Sequence, residues 1–259
     1  MSSRVIAAVG WILGALIASV AIWLFALFVS GTIKTDQTVS RIVFGLITSL
    51  LAVLLVAMLS RRQKSGPSLG FYSFAKKLLI GMAWYAIPAV SGLFLASILG
   101  VVEVSVDGSF MDAVSAVLLV AILVFLSEAL PEEIIFRGYI LKKLSIFNNR
   151  WLVIILQAAI FTIFAFMIGA IGGILDASFI FTFGIVLGVL RSATGSLAAP
   201  IGFHLACMTV QQSFSSQWSP FVVSNESILQ TFILGMIPIS VALAYYATRI
   251  SRVNSDSRL

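Results

Sequence analysis

Charge is what this chain has least of. Ten per cent of its 259 residues are Asp, Glu, Lys or Arg, against about 25% in a soluble domain. Hydrophobic residues make up 60% and the mean hydropathy is +1.12. A chain of this length cannot hide so much apolar surface in its own core, so lipid must cover the rest. Cysteine is nearly absent, and Cys207 alone can form neither an internal disulfide nor a cysteine-rich metal site. Histidine is as scarce, with His204 the single example, whereas zinc wants three or four convergent ligands. No metal and no cofactor is expected.

Long apolar runs are what the chain does have. Eight are long enough to cross ~30 Å of hydrocarbon: Val5–Val29, Ile42–Leu59, Leu78–Gly100, Ala113–Leu141, Trp151–Gly169, Ile174–Leu190, Ser196–Gln211 and Ile228–Thr248. The first is too long for the apolar part of a signal peptide and reads as a retained helix. The expected fold is an all-α polytopic membrane bundle of about eight helices. Three stretches organise it: residues 1–112 with helices one to three, a core at 113–211, and 212–259 with the last helix and a polar tail. The loop Ser60–Lys77 carries Leu69, Phe71, Tyr72 and Phe74 beside Lys76 and Lys77. It reads either as a segment lying on the membrane surface or as an ordinary basic loop.

Basic residues set the orientation. With the N-terminus in the cytoplasm, only Lys34 and Arg41 of the 16 basic residues fall outside, while Asp36, Glu103, Asp107, Asp112, Asp176 and Glu226 collect there. Both termini are then cytoplasmic, in a membrane expected to be the plasma membrane. The net charge of +6 is a topology signal; nucleic acid is not an expected partner, and membrane lipids are.

Ionisable residues inside a membrane cost several kcal/mol and mark functional sites. The fourth span holds Glu128, Glu132, Glu133 and Arg137. Glu128 and Glu132 share one helical face, and Glu133 and Arg137 share another, so the latter pair can form an ion pair. Pro131 removes a backbone N–H and should free the carbonyl of Ser127. His204 follows Pro200 in the seventh span. At ~1.5 Å per residue, Glu132 lies about 15 Å inside Lys142 and His204 about 12 Å inside Ser196. The matched depths suggest a carboxylate that activates water beside an imidazole, in a cavity facing the cytoplasm.

The segment Glu132-Glu133-Ile-Ile-Phe136-Arg137-Gly138 resembles the EExxFRG motif of the CPBP family, the CAAX protease and bacteriocin-processing (Abi) intramembrane peptidases. The resemblance covers Ala113 to Gln211. The stretch ending in Phe161 is similar to the lead-in to the family's FxxxH motif, and Thr194 to His204 to the lead-in to HxxxN. The resemblance implies Glu132 as the water-activating base, Glu133 and Arg137 as its support, and His204 as an oxyanion-stabilising group. It also implies a membrane-embedded or lipidated peptide substrate. Two motif positions are degenerate: Ala165 stands where the family has histidine and Met208 where it has asparagine. Neither can handle a proton or donate to an oxyanion. Gln211 and Gln212, two turns beyond His204, are candidate substitutes. Two functions therefore remain open: an intramembrane endopeptidase, and a catalytically impaired relative serving as a membrane scaffold, regulator or bacteriocin-immunity factor.

Overall fold

The computed structural model describes residues 3–33, 36–61, 71–214 and 220–256. Among them are eight long helices: α1 Ser3–Gly31, α2 Gln37–Ser60, α3 Phe71–Ile98, α4 Phe110–Leu144, α5 Arg150–Met167, α6 Ile174–Thr194, α7 Ala198–Ser213 and α8 Glu226–Thr248. Each coincides with one expected span. All but α7 are long and apolar enough to cross a membrane, and the chain is a multi-pass membrane protein. Local chemistry sets several boundaries. Asp36 caps α2 by accepting from Thr38 N, Ser109 and Asp112 form a capping box at the start of α4, and Asn149 caps α5. Gly195, at φ 66°, ends α6 in the left-handed region.

Three features differ from expectation. First, α3 begins at Phe71, so Phe71, Tyr72 and Phe74 form its first turns instead of a separate surface segment. Second, helix continues past Thr248, the end of the expected span and of the apolar part of α8, into the stretch expected to be a polar tail: its final segment runs Ile237–Asp256. Third, a two-stranded antiparallel sheet joins β1 (Val104–Val106) to β2 (Phe221–Val223), with Ser105 opposite Val222. Lys34 and Leu69, together with Arg62, Lys64 and Arg258 from the basic residues counted toward the cytoplasmic side, lie outside the described residues. The sheet fixes topology. It ties the loop after α3 to the loop after α7 at one end of the bundle, so the four helices between them must traverse it an even number of times. Helix α7 therefore runs from one end to the other, although it is only 16 residues long, about 24 Å at ~1.5 Å per residue.

Short and hidden, α7 is the axis of the bundle, packed against α3, α4, α6 and α8. Eleven of its 16 residues are buried, because small side chains let neighbours come to backbone contact. A Cβ on Gly202 would lie 2.1 Å from the Leu78 carbonyl oxygen, and one on Gly81 would lie 2.0 Å from that of Ala199. Helices α5 and α6 use the same device: Gly184 and Gly188, four apart, face Ala158 and Gln157.

Candidate functional site

Pro131 interrupts α4 and the helix responds by widening. Two π-helical stretches, Phe125–Ala129 and Glu133–Ile140, flank a short α-helical turn at Leu130–Glu132. The Leu130 N–H bonds the Phe125 carbonyl, five residues back. In that register the carbonyl facing the missing N–H of Pro131 is that of Leu126, and not Ser127 as the α-helical spacing implied. Leu126 finds a donor on α2: the Ser49 hydroxyl donates to its carbonyl, with the Thr48 hydroxyl alongside at 3.4 Å. A π-turn satisfied by a neighbouring hydroxyl keeps the backbone closed inside lipid.

Glu133 and Arg137 stand at the centre, both fully buried, with Arg137 Nη1 donating to Glu133 Oε1 at 2.9 Å. The guanidinium lies 4.4 Å from the Phe161 ring centroid, and Nη2 donates to the Gly184 carbonyl at 3.4 Å. The glycine at 184 matters because α6 approaches closely enough to offer that carbonyl. Breaking a buried ion pair by removing one partner costs about 3–5 kcal/mol, so this pair holds α4, α5 and α6 in register.

His204 joins the two glutamates. Its Nδ1 is 3.0 Å from Glu133 Oε1 and its Nε2 is 3.9 Å from Glu132 Oε2. Adjacent helical residues diverge, yet one imidazole reaches both because its nitrogens sit on opposite edges of the ring. The ring also meets Phe183 edge-on, with centroids 5.0 Å apart. Glu133 Oε1 already accepts from Arg137 Nη1 and is the same oxygen that Nδ1 faces, so Nδ1 is placed as a second donor to it. Nε2 then faces a second carboxylate across a gap too long for a direct hydrogen bond. Glu132 is 8% exposed and Glu133 not at all, so of the two only the first presents any open surface. The sequence reading paired His204 with Glu132; the closer partner is Glu133.

The remaining positions separate. Gln212 Nε2 donates to Glu128 Oε1 at 2.8 Å, whereas Gln211 turns away to the Gln230 carbonyl. Glu128, one turn from Glu132, also interacts electrostatically with Arg41 and His204. Met208 packs against Val120, Val124 and Ala129, an apolar cluster. Ala165 is buried one turn beyond Phe161. Cys207 is buried as a free thiol. Among the described residues no three His, Cys, Asp or Glu side chains are grouped to hold a metal ion.

Three contributors escaped the sequence reading. Thr48 and Ser49 are small hydroxyl residues that hydropathy passes over. The Gly184-x-x-x-Gly188 spacing was a visible signal for close helix packing. Gln157 is fully buried beside Gly188, and neither of its amide atoms has a hydrogen-bond partner among the described residues; an uncharged residue in an apolar run drew no notice.

The family model described as Type II CAAX prenyl endopeptidase Rce1-like matches residues 114–210. That segment contains every glutamate, arginine and histidine of the central cluster. No curated protein and no solved structure matches the chain.

Proposed function

We propose that the chain acts as an intramembrane peptidase of the CPBP/CAAX protease family, a reading supported by the family match over residues 114–210, and that Glu132 activates water against a peptide bond. The observation that carries the proposal is the single imidazole between two glutamates, 3.0 Å from one and 3.9 Å from the other. Glu133 engages His204 through Nδ1, which leaves Nε2 as the ring atom directed toward Glu132. Glu132 takes a proton from water as the oxygen attacks the carbonyl carbon. The oxyanion accepts from Nε2–H, and Glu132 returns the proton to the departing amine as the C–N bond breaks. Arg137 neutralises Glu133, and its partners on α5 and α6 fix the constellation before substrate arrives.

The substrate class follows the family's name: a lipidated or membrane-embedded peptide, whose chain reaches Glu132 from within the bundle. The site opens toward the cytoplasm of a plasma-membrane protein in this reading, supported by the asymmetry of the basic residues. Labelling after Arg61, Glu103, Lys143 and Glu226 should then alternate in, out, in, out. Agreement between Glu103 and Lys143 would refute the topology.

A second reading has its own support. Met208 lies in an apolar cluster, and neither it nor Ala165 offers a polar atom, so the site lacks two groups the family's chemistry uses. The chain would then be a non-catalytic scaffold, regulator or immunity factor. The deciding experiment is a cleavage assay of purified protein in lipid against prenylated and transmembrane peptides, with Glu132→Ala as control. The peptidase reading expects slow cleavage that the substitution abolishes. No cleavage of any peptide by the folded protein favours the second reading.

A further inference from the structure

One end of the bundle gathers three cations around a single cavity. A cavity of about 720 Å³ opens there between the start of α1 and the end of α4, lined by Arg4, Ala7, Ala8 and Trp11 on one side and by Lys142 and Lys143 on the other. Its volume falls in the ~300–1,000 Å³ range of small-molecule sites. Among the described residues, no ion pair involves Arg4, Lys142 or Lys143. The sequence accounts for this: no Asp or Glu precedes Asp36, and none lies between Glu133 and Asp176. Three like charges thus converge with nothing built into either segment to neutralise them.

The lining is organised around that charge. The Lys143 ammonium lies 5.4 Å from the Tyr139 ring centroid and 5.9 Å from that of Trp11, which ties it to aromatic rings on both α4 and α1. Ala7 and Ala8 leave the α1 wall low. Trp11 is half exposed, as an aromatic anchor at the boundary between hydrocarbon and headgroups would be. The Ser145 hydroxyl already donates to the Lys142 carbonyl at 2.7 Å, so recognition falls to the cations.

We propose that this cavity binds the phosphate of an anionic phospholipid, with the acyl chains against the lipid-facing surface of α1. Basic pockets between membrane helices take such headgroups, and this one combines cations with alanine and tryptophan at the end of two spans. That combination suits a ligand with a charged head and an apolar body better than a free anion.

Native mass spectrometry of the full-length protein, exchanged into mixed phosphatidylglycerol and phosphatidylcholine, reads the site directly. Wild type should retain one phosphatidylglycerol in preference to phosphatidylcholine. Arg4→Gln with Lys142→Gln and Lys143→Gln should weaken retention by roughly fivefold per charge. Ala8→Leu, which keeps every charge and fills the space, should also release the lipid. Arg150→Gln, an exposed cation at the same end, should change nothing. The proposal is overturned by equal retention in the triple variant or in Ala8→Leu, by an equal loss in Arg150→Gln, or by complete displacement with millimolar inorganic phosphate, which would make the ligand a free anion.

Discussion

Helices α7 and α1 belong to the same bundle and follow opposite rules. Helix α1 buries eight of 29 residues and turns Leu13, Ile17, Phe25 and Phe28 to the outside. Its glycines at 10 and 14 have nothing near them. Helix α7 buries 11 of 16, packs through alanine and glycine, and carries the only histidine. Lipid tails are as apolar as leucine, so burial among helices is not driven by hydrophobicity; close backbone packing and polar contacts take its place. The helix that least resembles a membrane span is therefore the one around which the site is assembled.

This contrast can be broken by substitution. The largest stability effect should come from Arg137→Ala, which leaves Glu133 charged and buried; about 3–5 kcal/mol of destabilisation is expected, read as a lower unfolding temperature in detergent. Next is Gly202→Ala, whose Cβ would meet the Leu78 carbonyl oxygen at 2.1 Å. It should force α3 and α7 apart at a cost of ~1–3 kcal/mol or more. The same change at Gly14 has open space and should leave the unfolding temperature almost unmoved. If Gly202→Ala and Gly14→Ala behave alike, α7 is not the tightly packed axis described above. Ser49→Ala should cost about 1–3 kcal/mol by orphaning the Leu126 carbonyl, softened if Thr48 takes over the bond. Double restoration, Ala165→His with Met208→Asn, should raise cleavage modestly, because the asparagine amide enters the cluster of Val120, Val124 and Ala129.

The fold was largely legible because lipid enforces it. Runs of apolar residues long enough to span a bilayer have few alternatives to helix, and all eight were visible. Polar pairing inside the bundle was less so. The Glu133–Arg137 pair could be read from its spacing of four, since neighbours on one helix face need no tertiary information. The Glu133–His204 contact could not, because it depends on how α4 and α7 are rotated against each other. Pro131 announced a disturbed helix, but the π register that moved the orphan carbonyl to Leu126 depends on a hydroxyl from α2. The small sheet was missed for a similar reason: Val104–Val106 and Phe221–Val223 are too short to signal strands by periodicity, and only their juxtaposition makes them pair.

The proposed mechanism divides labour between the two glutamates. Glu133, without solvent exposure and bonded to Arg137 and His204, is placed to hold the site, whereas Glu132, slightly exposed and hydrogen-bonded to neither, is the proposed contact with substrate. Measuring cleavage rate and unfolding temperature together for Glu132→Gln and Glu133→Gln separates these roles. The account predicts that Glu132→Gln abolishes cleavage at an unchanged unfolding temperature, while Glu133→Gln lowers both. Retained cleavage in Glu132→Gln, or an unfolding temperature in Glu133→Gln equal to that of the unsubstituted protein, would contradict it.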